Sequence, residues 1–238
     1  MPGSTVTARL LQCNRRHEGA APLASYAASR ATRGDDADRI IGLYDRHAQA
    51  FDQERGRTLF ERPWLDRFLT LLPPGGTILD IGCGMGEPIG RYLIEQGYAV
   101  TGLDSSPGLI ALCRGRFPGN DWVLADMRTL ALGRRFHGVL AWDSFFHLSV
   151  DDQRAMFPIF RRHVAPEAAL MFTSGPRHGE AIGSYHGEPL YHASLAPDEY
   201  RARLGESGFD VVSYDEEAPA CGGHTIWVAK CRPYGPTA

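Results

Sequence analysis

A chain of 238 residues with 43% apolar side chains can bury one sizeable α/β core and is short for two. Its formal charge of -3 gives no general reason to expect nucleic acid as a partner, and no apolar run approaches the ~18 residues of a membrane helix. Five cysteines without a CxxC argue against a disulfide framework and a structural zinc, so no metal is expected and the cytoplasm is the expected compartment.

Residues 1–36 are expected to form a tail, flexible or targeting-like, in which Arg9, Arg15, Arg16, Arg30 and Arg33 lie among many Ala and Ser. From Asp38 the pattern turns helical, with Ile40, Leu43, Tyr44, Ala48 and Phe51 near the i, i+3, i+4 spacing of one buried face. A second amphipathic segment at 59–72 stops at Pro73-Pro74-Gly75-Gly76. Beyond that break, short apolar runs alternate with helical stretches, the pattern of crossover βαβ units. Strands are predicted at 78–81, 99–103, 122–124, 138–141 and 169–173, with helices at 88–96, 107–116 and 151–163. A helix at 197–204 and strands at 209–214 and 225–229 close the pattern. The expected fold is therefore α/β, a seven-stranded mixed sheet, mostly parallel with the last strand antiparallel, and helices on both faces. One domain should span 37–232, followed by a tail at 233–238. Within it, 174–196 is long for a connection and rich in Gly, His and Tyr, so it is expected to cover a substrate.

The run TILDIGCGMGEPIG, Thr77 to Gly90, carries a strand into a glycine-rich turn and then a helix. Such a turn presents backbone N–H groups at the carboxyl edge of the sheet, where nucleotide-like ligands bind. The dinucleotide fingerprint requires G-x-G-x-x-G, whereas Gly82, Gly84, Gly86 and Gly90 follow one another at intervals of two, two and four. A nicotinamide-dependent oxidoreductase is thereby disfavoured.

Asp80-Ile81-Gly82-Cys83-Gly84-Met85-Gly86, an acid two residues before G-x-G-x-G, resembles motif I of the class I S-adenosylmethionine-dependent methyltransferases. The resemblance implies a Rossmann-like sheet, S-adenosyl-L-methionine as cofactor and S-adenosyl-L-homocysteine as product. It assigns Asp80, Gly82, Cys83 and Gly84 to the loop over the ribose and methionine. It sets Asp104, with Ser105 beside it, at the ribose hydroxyls, and Asp126 and Met127 at the adenine. Ala141 and Trp142, at the fourth strand end, would lie near the methionine amino group. The stretch YDRHAQAFDQER resembles the N-terminal helix of small-molecule methyltransferases, which implies a helical lid over 37–72. Tyr44 and Arg55 would then approach the methionine carboxylate, while Phe51 stands where a second tyrosine is usual.

Asp143-Ser144-Phe145 lacks the Pro-Pro-aromatic signature of amino-methylating nucleic-acid enzymes, and Ser174-Gly175 lacks the Asp-Asn of metal-dependent catechol-type enzymes. What remains is methyl transfer to a small molecule through an O, N or S nucleophile, with no nucleic acid and no membrane as partner, by a monomer or homodimer. His147 and His192 are the candidate catalytic residues, though a carboxylate or thiolate acceptor needs no base. A protein that binds the cofactor without turnover is the open alternative.

Overall fold

The computed structural model describes residues 30–221 and 223–233; the expected tails lie outside these residues, except for 30–36 and 233. Three helices come first: α1 (Arg30–Arg46), α2 (Ala48–Glu54) and α3 (Arg62–Leu69). Helix α1 starts inside the expected tail, a correction to that boundary.

The sheet is built from β1 (Thr77–Ile81), β2 (Ala99–Asp104), β3 (Asp121–Leu124), β4 (Phe136–Ala141) and β5 (Val164–Ser174). Helices α4 (Ile89–Glu95), α5 (Pro107–Arg116) and α6 (Val150–His163) connect its strands. After β5 come a two-stranded sheet of β6 (Gly179–Tyr185) and β7 (Glu188–Ser194), helix α7 (Pro197–Glu206), and strands β8 (Phe209–Ala218) and β9 (His224–Cys231). The main sheet has the order β3-β2-β1-β4-β5-β9-β8. Strands β1 to β5 pair in parallel, and β9 runs antiparallel to both β5 and β8. The expected mixed sheet is present, with the last strand of the chain inserted between its neighbours. The chain reverses direction across the sheet between β1 and β4, and ligands of open α/β sheets bind at the carboxyl ends beside such a point.

Alternation along the strands separates two cores. Leu79, Ile81, Val139, Leu170, Phe172 and Trp227 face α6 and α7, where they meet Phe157, Phe160, Tyr200 and Leu204. Ile78, Leu140, Met171 and Val228 face the other way, onto Trp64, Leu65 and Phe68 of α3 and Leu93 of α4. Asp80 shares the phase of Ile78 and is only 3% exposed.

The segment 174–196 is a hairpin, which the sequence reading did not anticipate. His186 and Gly187 both have positive φ between the paired Tyr185 and Glu188, the geometry of a two-residue hairpin turn. Its side chains Tyr185, Leu190, Tyr191 and Ala193 pack on Ala37, Ile40 and Leu43 of α1. The N-terminal helices and the hairpin thus share one small core at the carboxyl edge of the sheet.

Candidate active site

A cleft of about 1130 Å³, counted out to its open mouth, lies at this edge. Its walls are the ends of β1, β2, β3 and β4 and the apolar face of α1 and α2, including Ile40, Tyr44 and Phe51. The loop after β1 turns tightly because Gly82 and Gly84 adopt φ of 75° and 57°. Gly82 and Cys83 both donate backbone hydrogen bonds to the Leu103 carbonyl, at 2.7 and 2.9 Å, which ties the loop to β2. A Cβ on Gly82 would fall 2.2 Å from Cβ of Ser144, so no larger residue fits there.

The three strand-end acids differ in state. Burial, then the neighbouring Asp104 charge, pushes the Asp80 carboxyl up to about 7. Asp104 Oδ2 accepts from the Gly84 N–H at 3.0 Å and Oδ1 from the Ser106 N–H at 2.9 Å. Burial lifts this carboxyl to about 6, against the pull of those backbone donors. At Asp126 burial also works upward, but hydrogen bonds from Arg128 outweigh it and hold the carboxyl below its ordinary range. Arg128 grips Asp126 through its guanidinium and reaches across to Asp38 on α1.

Among the lining residues Arg55 and Arg128 are the cationic side chains, and each is held by a carboxylate, Arg55 by the buried Glu61. A pyrophosphate would find no uncommitted cation on this wall. An adenosyl group carries no phosphate, and the wall suits it: ionisable carboxyls for a diol and an amine, with Leu103, Ala125 and Met127 as apolar surface. Trp142 also lines the cleft, and its indole N–H is buried without a hydrogen-bond partner among the described residues.

Of the residues named from sequence, Tyr44, Asp80, Gly82, Cys83, Gly84, Asp104, Ser105, Asp126, Met127, Trp142 and His147 line the cleft. Ala141 does not; it is fully buried in the core beneath Phe145 and Phe172. Cys83 is buried, and burial pushes its thiol well up, so it stays protonated and unreactive at neutral pH.

His147 departs from the expectation of a base. Its Nδ1 donates to the Tyr191 carbonyl at 2.8 Å, which leaves Nε2 as an acceptor for the Tyr44 hydroxyl at 3.0 Å. Both nitrogens are committed, and burial with the nearby His192 lowers its pKa to about 3. His192 lies tilted against this ring with centroids 4.7 Å apart and donates from Nδ1 to the Leu190 carbonyl at 3.1 Å. Burial lowers its pKa as well.

Sequence reasoning passed over Asp143 and His224. Asp143, on the cleft wall with φ of 49°, is held by its N–H to Thr173 Oγ1 at 2.9 Å. Its Oδ1 lies 3.1 Å from Nδ1 of His224, at the start of β9. Nothing local in the sequence links them, because the contact depends on β9 inserting beside β5.

Together the sheet order, the glycine loop and the strand-end acids are similar to those of class I S-adenosylmethionine-dependent methyltransferases, whose Rossmann-like fold the chain shares. Residues 78–167 match the family model described as a methyltransferase domain. A dTDP-3-amino-3,6-dideoxy-alpha-D-glucopyranose N,N-dimethyltransferase from Streptomyces fradiae is 32% identical over 150 residues, covering 61% of this chain and 58% of the relative. An O-methyltransferase from Pyrenophora dematioidea is 28% identical over 165 residues, covering 64% and 61%. The chain thus spans about three fifths of the length of these curated relatives. In fold it is similar to a Burkholderia thailandensis 1,6-didemethyltoxoflavin-N1-methyltransferase, with a TM-score of 0.67, 18% identity, and coverage of 90% of this chain and 93% of the other. It is similar also to an amino pentose methyltransferase from Micromonospora echinaspora solved with bound S-adenosylmethionine, with a TM-score of 0.60, 21% identity and coverage of 76% and 95%. Among the described residues no helix is long and apolar enough to cross a membrane, and no group of three or more His, Cys, Asp or Glu is arranged to hold a metal ion.

Proposed function

We propose that this domain transfers the methyl group of S-adenosylmethionine to a small-molecule acceptor and releases S-adenosylhomocysteine. The observation that carries this reading is the convergence of Asp80, Asp104 and Asp126 on one cleft whose arginines are already paired. When bound, the sulfonium supplies an activated methyl group, so the protein's task is to hold donor and acceptor in line and to keep water out. Asp104, preset by two backbone donors, would take the ribose hydroxyls, while Asp126 and Met127 would frame the adenine. Tyr44 would approach the methionine end, its hydroxyl oriented by His147, which acts as a positioning residue rather than as the base. Helices α1 and α2 would serve as the lid within 37–72, and the hairpin in 174–196 as the cover over the acceptor. The names of both relatives and structural neighbours agree with an acceptor that is a small molecule.

The test pairs binding with turnover. S-adenosylmethionine should raise the melting temperature and NAD should leave it unchanged, because a ligand that binds only the folded state stabilises it. Stabilisation by NAD alone would sink the proposal. A protein stabilised by the sulfonium that releases no S-adenosylhomocysteine across a broad acceptor panel would instead be a binder without turnover.

A further inference from the structure

Resting on the methyl-transfer reading, we propose that His224, held by Asp143, is the general base of the acceptor site, and that the acceptor is a hydroxyl or an amine rather than a carboxylate. The argument begins with Asp143. It stands on the cleft wall just past β4, beside the neighbouring Trp142 and Ser144, in a left-handed conformation that the bond to Thr173 maintains. Its carboxylate meets Nδ1 of His224 at 3.1 Å. A carboxylate can only accept, so Nδ1 carries a proton, and in the neutral ring Nε2 is the nitrogen with the lone pair. Among the described residues no hydrogen bond is made to that Nε2. A histidine fixed in this tautomer by a carboxylate is the arrangement that takes a proton from a hydroxyl nucleophile in unrelated enzymes.

The surroundings separate His224 from the other two histidines. His147 has both nitrogens committed. His192 faces a backbone carbonyl rather than a carboxylate, and its burial disfavours the charged form a base must adopt. The Phe146 ring meets both, with centroids 5.3 Å from His192 and 6.1 Å from His224, and lies 4.9 Å from the His147 ring, so it links the dyad to His147 on the cleft wall. The chemistry of the acceptor also selects. A carboxylate needs no base to attack the methyl group, whereas a hydroxyl or a protonated amine does, so a poised base fits the latter two.

In the step itself the acceptor oxygen or nitrogen forms its bond to the methyl carbon, and the carbon–sulfur bond breaks with its electron pair going to sulfur. The proton leaves the acceptor for Nε2 of His224 and passes from the imidazolium to solvent. Asp143 acts as a positioning residue, since it fixes the tautomer and touches no reacting atom.

Two readouts on the full chain test this. Histidine-selective ¹⁵N NMR with saturating S-adenosylhomocysteine, assigned by loss of the signal in His224→Gln, should find the proton of the neutral His224 ring on Nδ1. Asp143→Asn should abolish that preference, which a purely structural aspartate would not do. A wild-type His224 with its proton on Nε2 overturns the proposal. The second readout is release of S-adenosylhomocysteine with a phenol, an amino sugar and a dicarboxylic acid as probes. Turnover with the phenol or amino sugar should fall by about 100-fold or more in His224→Gln, at unchanged S-adenosylhomocysteine affinity. Turnover unchanged in His224→Gln, or methylation of the dicarboxylic acid alone, overturns this proposal and leaves methyl transfer intact. No methylation of any probe by a wild-type protein that binds the cofactor overturns both.

Discussion

Asp104 sits between two opposed effects, burial that favours its neutral form and backbone donors that favour its charge. A ribose diol donates best to the ionised form. Asp104→Ala should therefore weaken S-adenosylhomocysteine binding by about 1.5–3 kcal/mol in calorimetry, the loss expected for charge-assisted hydrogen bonds. Unchanged affinity would mean that the ribose lies elsewhere. The same carboxyl carries two pH dependences of opposite sign. Its folded value, about 6, exceeds the ordinary 3.8, so between these values the folded chain keeps a proton that the unfolded chain has released. Its contribution to stability is therefore full below 3.8 and is lost as pH rises towards 6. Thermal melts of Asp104→Asn against wild type should diverge in favour of the variant as pH rises from 4 to 7, while wild-type affinity for S-adenosylhomocysteine should fall as pH drops below about 6. A constant difference between the melts would refute the assignment. Gly82 makes a sharper steric claim. A methyl group there meets Ser144, whose Oγ is bonded to the Ile81 carbonyl at 2.6 Å, so Gly82→Ala should cost about 3 kcal/mol or more in urea unfolding. Gly84→Ala, with 3.4 Å to Phe51 and a milder φ, should cost about 1–2 kcal/mol. Equal losses would show that Ser144 yields.

The N-terminal helices are fastened to the sheet edge by polar contacts as well as by packing. Asp45 Oδ1 on α1 accepts from Ser106 Oγ at 3.0 Å and from the Gly108 N–H at 3.1 Å. Ser106 in turn caps α5 by accepting from the Leu109 N–H at 3.2 Å. Asp45 thus satisfies a free donor at the start of α5 and adds negative charge at its positive end. Asp45→Ala should cost about 0.5–2 kcal/mol and speed hydrogen exchange in α1 and α2, with β1 and β4 unaffected. Equal acceleration in the strands would mean that the helices do not open as a unit. These elements also divide what the sequence made readable from what it hid. Strands β1 to β4 were legible because each is a short apolar run between glycine or proline breaks, and the acids Asp80, Asp104 and Asp126 follow from their ends. Hairpin β6–β7 was hidden because Gly183, Ser184 and the histidines dilute its alternation, although Gly187 after His186 was a usable turn signal. The start of β5 was hidden by Glu167, whose positive φ marks an irregular pairing with β4. His224 was out of reach for a different reason, since its meaning comes from a partner brought close only by the antiparallel insertion of β9.

At the scale of the whole molecule, the cleft and the β6–β7 hairpin are packed against the same helix. Ile40 and Ala37 line the cleft and, on the same helix, belong to the core formed with Tyr185, Leu190 and Tyr191 of the hairpin. Tyr44 bridges the two regions through His147, whose other nitrogen bonds the Tyr191 carbonyl on β7. A ligand that fixes α1 must therefore also restrain the hairpin, because one side of their joint core cannot open without exposing the other. By mass action, S-adenosylhomocysteine at 100 times its Kd should stabilise the protein by about 2.7 kcal/mol. Segments whose opening disrupts the cleft should gain protection from exchange, up to that amount. The expected pattern is slowed exchange in α1, α2, β6 and β7 together, with little change in β8, which lies at the far edge of the sheet. Protection confined to α1 and α2 would show that the hairpin moves independently, and cofactor binding would then leave the acceptor side open. Joint protection would mean that binding the methyl donor also shapes the site where the acceptor is received.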